Sequence, residues 1–139
     1  MSVLRKRLGD AGERVARSWY EQRGFRSVAT NWRCPQGEVD LVVVRAGLLV
    51  FCEVKTRRST GFGDPREAIT PAKLASMRKV AGAFLAAEHE GDAGRSGSKP
   101  SDDDVASWSA ACIERIRLDV ACVYWGEPPR VQVLAGVGE

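Results

Sequence analysis

Apolar positions along the chain fall into two kinds of pattern. Between residues 4 and 23, Leu8, Ala11, Gly12, Val15, Ala16 and Trp19 recur at helical spacing and form one stripe of an amphipathic helix, with Gly24 as its stop signal. From 25 to 32 the chain reads as a short strand, and Asn31, Cys34-Pro35 and Gln36-Gly37 mark the turn after it. Two β-branched apolar runs, 37–44 and 48–56, then flank Arg45-Ala46-Gly47 and read as a hairpin. A second helix comes after a polar loop. Thr70 is its N-cap, Pro71 its first residue, and Leu74, Met77, Val80, Ala81, Phe84 and Leu85 its apolar face. Beyond a Gly/Ser/Asp-rich stretch, 113–125 and 131–134 return to strand character, with Ile116, Leu118, Val120, Cys122 and Tyr124 alternating with Arg117, Asp119, Ala121 and Val123.

The order is α-β-β-β-α-β-β, and its natural architecture is an α/β domain with a central mixed sheet flanked by helices. With 139 residues the chain is expected to form a single domain, 1–139. Residues 91–107 are expected to be a flexible loop within it.

Charged residues interrupt the hairpin at few points: Glu38 and Asp40 on one strand, Glu53 and Lys55 on the other. Members of each pair share a face because side chains alternate. A two-residue loop at Ala46-Gly47, or a four-residue loop over 45–48, sets Asp40 opposite Glu53 and Glu38 opposite Lys55. A three-residue loop separates the acids unless a bulge restores the phase. Both faces are otherwise apolar, so hydrophobicity does not choose the register. Opposed carboxylates repel, and a bound divalent cation is the usual compensation.

Composition is that of a soluble globular protein, 44% apolar and 28% charged. No apolar run reaches the length of a membrane span, and the basic N-terminus lacks a signal-peptide core, which points to the cytoplasm. Cys34, Cys52, Cys112 and Cys122 form no C-x-x-C pair and are expected to be buried free thiols. His89 is the one histidine, expected to serve the helix dipole, so chemistry that needs a histidine pair is excluded. Net charge is only +3, yet Arg5, Lys6, Arg7, Arg14 and Arg17 crowd the first helix and Arg57-Arg58 end the second acidic strand. Such local basicity can hold phosphates, although a solvated helix face explains it equally.

Two acids and a lysine on one sheet face suit phosphodiester hydrolysis. Asp40 and Glu53 offer oxygen ligands to Mg²⁺. Lys55 can orient or deprotonate water, or stabilise a phosphorane oxyanion. Glu13 has two readings: a capping box with Asp10, or a third carboxylate leaning over the sheet.

Gly12-Glu13, Asn31-Trp32-Arg33, Gly37-Glu38-Val39-Asp40-Leu41-Val42, Val50-Phe51-Cys52-Glu53-Val54-Lys55-Thr56-Arg57, Glu67-Ala68, Lys73 and Arg117-Leu118-Asp119-Val120 occur in the order that characterises the YraN family. The chain resembles this family of small bacterial proteins over nearly its whole length, residues 91–104 and the last residues excepted. The family is grouped with the PD-(D/E)xK, or restriction-endonuclease-like, nucleases and looks related to Holliday-junction resolvases. The resemblance implies that fold, an active-site set of Glu13, Asp40, Glu53 and Lys55, and Mg²⁺ or Mn²⁺ held by Asp40, Glu53 and the Val54 carbonyl. It also implies endonuclease action on DNA, branched or junction DNA included. Arg57 and Arg58 are the candidate nucleic-acid contacts. Related resolvases act as homodimers, but nothing in this sequence marks an interface. The superfamily's Pro is replaced here by Val39. The alternative is a nucleic-acid-binding module that keeps fold and acids without turnover.

Overall fold

A computed structural model describes residues 3–58, 65–89 and 110–138. Helix α1 (Val3–Glu21) leads into strands β1 (Arg26–Cys34), β2 (Gly37–Arg45) and β3 (Leu48–Arg57), helix α2 (Pro71–His89), and strands β4 (Arg115–Tyr124) and β5 (Arg130–Leu134). This is the α-β-β-β-α-β-β order that the hydrophobic pattern predicts. The loop expected at 91–107 lies outside the described residues.

The strands form one mixed sheet in the order β1-β2-β3-β4-β5. Every neighbouring pair is antiparallel except β3 and β4, which run parallel. A parallel pair needs a long crossover, and α2 lies within that connection. Alternation along the strands divides the core in two. Leu41, Val43, Val50, Cys52, Ala121 and Val123 pack with Ala16 and Tyr20 of α1. Val42, Val44, Leu49 and Phe51 pack with Val80, Ala81 and Phe84 of α2. One helix therefore covers each face, and β3 is buried on both. Among the described residues no helix is long and apolar enough to cross a membrane.

Turn chemistry fixes the register. The β2–β3 ladder closes at Arg45↔Leu48, leaving Ala46-Gly47 as a two-residue loop. Both loop residues have positive φ, +45° and +81°. That is the type I′ pattern, whose twist matches the strands it joins. The three-residue alternative is thereby excluded. The β1–β2 turn differs from its expected place: β1 runs on to Cys34, which pairs with Gly37, so Asn31 lies inside the strand and not in the turn.

Local signals hold the helices. In a Schellman motif at the end of α1, Phe25 N–H donates to the Tyr20 carbonyl at 3.1 Å and Gly24 N–H to that of Glu21 at 3.1 Å. Gly24 has φ +85°, and the Tyr20 and Phe25 rings meet edge to face. At α2, Thr70 Oγ1 accepts the Lys73 N–H at 3.1 Å, the expected N-cap. Tyr20 also ties α1 to β4, since its hydroxyl donates to the fully buried Asp119 at 2.6 Å. Arg117 donates twice to the same carboxylate, at 2.8 and 2.9 Å, and Gly136 N–H once at 3.1 Å. A buried charge so completely bonded is tolerable where a bare one is not. Cys52 and Cys122 are buried free thiols as expected, whereas Cys34 is half-buried and Cys112 is exposed on a short 3₁₀ turn, Ala110–Cys112, beyond the reach of the core.

Gly12 is buried against β3, and an added Cβ would collide with the Thr56 hydroxyl. Its lack of a side chain lets α1 approach the sheet at the turn that carries Glu13. Helix propensity alone favours Ala over Gly by about 1 kcal/mol. Overpacking against Thr56 outweighs it, so Gly12→Ala is expected to lose on the order of 1–2 kcal/mol in urea unfolding, partly restored by Thr56→Ala. A stabilised Gly12→Ala would show that the close approach does not constrain α1.

Candidate active site

The ladder between β2 and β3 stops at Leu41↔Cys52, while β3 stays paired with β4 as far as Arg57↔Tyr124. The sheet therefore opens at Asp40, the next residue along β2. A break in alternation marks the place. Val39 packs with the α2-side cluster and Leu41 with the α1-side cluster, although strict alternation would give them one face. On β1 the same point is Asn31, between the pairs Thr30↔Leu41 and Trp32↔Val39, with φ +50°. Asparagine tolerates that left-handed conformation better than most residues.

In the opening, Asp40 Oδ2 accepts the Val54 N–H at 2.8 Å. The carboxylate thus satisfies a backbone donor of the strand from which β2 has parted. The N–H and C=O of one strand residue leave on the same side, so the Val54 carbonyl faces this gap too.

Glu53 is buried, at 9% exposure. Its Oε1 lies 3.1 Å from Lys55 Nζ and its Oε2 lies 2.7 Å from Lys73 Nζ. Lys55 arrives by simple alternation along β3. Lys73 arrives from α2, one turn before Met77 on the stripe that packs against the sheet. Asp40, Glu53, Glu38, Lys73, Phe51 and Met77 line a pocket of about 210 Å³. Burial pushes the Asp40 carboxyl above its ordinary range; the Val54 N–H opposes this, Glu38 adds to it, and Lys73 and Lys55 oppose it. Glu38 does not face Lys55 as the extrapolated register predicts. The ladder ends before reaching it, and Glu38 is exposed and pairs with Arg33 of β1 at 3.2 Å.

Glu13 lies ten residues into α1, so the capping-box reading with Asp10 is wrong: the helix already starts at Val3. Asn31 Nδ2 donates to Glu13 Oε2 at 2.9 Å. Glu13, Asn31, Thr30, Asp10, Arg14 and Arg17 line a second pocket, of about 280 Å³, on the α1 side. Burial is the main cause that pushes the Glu13 carboxyl up to about 7; the Asn31 bond opposes it, and the charges of Asp40, Asp10 and Glu38 add to it. Glu13 is thus in electrostatic reach of Asp40 but lines the neighbouring pocket, not the one that holds Glu53. Arg57 and Arg58 are exposed at the end of β3.

Four of the sequence-predicted residues, Asp40, Glu53, Val54 and Lys55, thus meet at the opening, with Glu13 beside them. Lys73 is among the residues on which the family resemblance rests, but the sequence reading assigns it no role in the site. Its physical signal is a lysine on the sheet-facing stripe in the first turn of a helix, where the macrodipole disfavours a cation. The donors able to hold a hard cation are the Asp40 and Glu53 carboxylates and the Val54 carbonyl. Among the described residues no three Asp, Glu, His or Cys side chains gather at one point. A small carboxylate set suits Mg²⁺, which keeps several waters and takes further oxygens from phosphate.

The raised Glu13 carboxyl has a consequence for stability. Its folded value of about 7 exceeds the ordinary 4.5, so the folded state favours its proton. That contribution is complete below 4.5 and is lost as pH rises through about 7. In metal-free buffer, Glu13→Gln is expected to fall less in melting temperature than the wild type between about pH 5 and about pH 8. Parallel curves would contradict this.

The model of "Uncharacterised protein family UPF0102" matches residues 12–123, a span that holds every residue of this site. A UPF0102 protein of Renibacterium salmoninarum is 44% identical over 133 residues, covering 94% of this chain and 95% of the relative. One of Mycolicibacterium smegmatis is 37% identical over 141 residues, covering 99% and 97%. One of Beutenbergia cavernae is 52% identical over 86 residues, covering 62% and 72%. The extent of these matches agrees with the YraN resemblance, and the chain belongs to the UPF0102 family.

Proposed function

We propose that this protein is a Mg²⁺- or Mn²⁺-dependent endonuclease that hydrolyses DNA phosphodiester bonds, with branched DNA among its substrates. The observation that carries the reading is the meeting of Asp40 and Glu53, with Lys55 on Glu53, where the sheet opens. A bound divalent cation there supplies Lewis acidity to the phosphate and lowers the pKa of water. Asp40, Glu53 and the Val54 carbonyl are the residues to hold it. Lys55, tethered to Glu53, is placed to donate to the attacking water or to a phosphate oxygen. Glu13, which takes up a proton near neutral pH, is a candidate proton acceptor beside Asp40. Arg57 and Arg58, exposed at the end of the strand that carries Glu53, suit contacts to the DNA backbone whose strength falls with salt. Cytoplasmic residence and action as a homodimer belong to the same proposal.

The lysines also favour a second reading, a DNA-binding module without turnover, because both oxygens of Glu53 are already engaged.

A cleavage screen over linear, single-stranded, flapped and four-way DNA with Mg²⁺ and Mn²⁺ separates them. The nuclease reading expects cleavage that Asp40→Ala and Glu53→Ala each reduce by at least about 10²-fold in folded protein. Binding of branched DNA without cleavage in either metal supports the module. Cleavage that survives in both pure variants contradicts the proposed site.

A further inference from the structure

Lys73 stands in the pocket for a reason that the hairpin does not supply. Met77, Val80 and Phe84 anchor α2 on the sheet, and Lys73 occupies the same stripe one turn earlier. Its ammonium reaches Glu53 Oε2 at 2.7 Å while 36% of the side chain stays exposed. The side chain therefore borders both the buried carboxylate and water. A lysine in the first turn faces the positive end of the helix macrodipole, so the position is favourable only next to an anion. Glu53 is that anion here, and Asp40 also feels the charge.

The charge balance of the pocket shifts if Glu53 is claimed by another partner. Asp40 and Glu53 cancel Lys55 and Lys73, and Glu38 at the pocket's edge is balanced by its partner Arg33. A divalent cation on the two acids leaves two positive charges in excess, with the Lys73 ammonium deprived of its counter-ion. A phosphodiester brings one negative charge, and its phosphorane transition state carries two. A freed ammonium then stabilises the transition state more than the ground state.

We propose that Lys73 is a phosphate-binding residue kept in reserve on Glu53: it yields that carboxylate to a divalent cation and takes an oxygen of the scissile phosphodiester. In the hydrolysis, water's oxygen bonds to phosphorus and the bond from phosphorus to one deoxyribose oxygen breaks. One proton of the water stays with the phosphate monoester and the other goes to the leaving alkoxide. The phosphate role rests on the nuclease reading; the competition between Lys73 and the cation for Glu53 does not.

The test pairs Mn²⁺ titration calorimetry without DNA with single-turnover cleavage at saturating Mn²⁺, using wild type, Lys73→Gln and Lys73→Arg, with thermal melts to confirm folding. Lys73→Gln is expected to bind Mn²⁺ about 2–5-fold more tightly, since a competing cation is gone, and Lys73→Arg to stay near wild type. The gain should vanish when Glu53→Gln is added. With metal saturating, Lys73→Gln is expected to lower the cleavage rate constant at least about tenfold, and Lys73→Arg to recover part of it. Unchanged or weaker Mn²⁺ binding by Lys73→Gln overturns the competition. Tighter binding with undiminished cleavage overturns the phosphate role. A wild type that cleaves no DNA removes that role together with the nuclease reading, and the titration alone then decides the competition.

Discussion

Glu53 is an ionisable group set into the central strand of a sheet covered on both faces, and the site is organised around making its charge tolerable. A buried carboxylate without partners costs several kcal/mol. Here each oxygen meets an ammonium, one from the same strand and one from α2. The neighbouring carboxylate, Asp40, does not lie flat against it in a closed ladder. The strands part, and Asp40 turns to the Val54 N–H. One distortion thus relieves a like-charge contact, satisfies a backbone donor and exposes a carbonyl to the same space.

The surrounding fold keeps that opening in place. Its acids sit on strands rather than loops, and the type I′ turn at Ala46-Gly47 sets the register that brings Asp40 level with Glu53. On one side α1 is drawn in where Gly12 meets Thr56 and is fastened further along by the bond of Tyr20 to Asp119. On the other, α2 is started by Thr70 and carries Lys73 inward on the face that packs against Phe51. Each helix so delivers one polar side chain to the margins of the opening, Glu13 from α1 and Lys73 from α2.

Much of this is legible in the chain. Alternation and turn residues define the hairpin, and the spacing of Glu53 and Lys55 puts both on one face. The register is not, because both faces of the hairpin are apolar and Ala46 is not a residue that announces a type I′ turn. The end of the ladder is hidden for another reason. It depends on a phase slip shared by Asn31 and Asp40 on neighbouring strands, and neither strand's own pattern reveals it. An unbroken ladder would set Glu38 opposite Lys55; because of the slip it pairs instead with Arg33. Asp119 reads as one polar position among alternating residues, yet it is fully buried, because Tyr20 and Arg117 reach it from far along and close along the chain. Lys73 is visible as one residue of the family resemblance and as a charge on an apolar stripe, but its place at Glu53 needs the tertiary packing of α2 on β3.

The central claim, a divalent cation held between Asp40 and Glu53, is tested most directly by anomalous diffraction from crystals of the wild-type protein grown with Mn²⁺. The predicted result is a manganese peak in the opening between β2 and β3, within ligand distance of Asp40 and Glu53, with Lys73 moved off Glu53. A peak elsewhere, or ordered Asp40 and Glu53 side chains with their lysine contacts intact at saturating Mn²⁺, would contradict it.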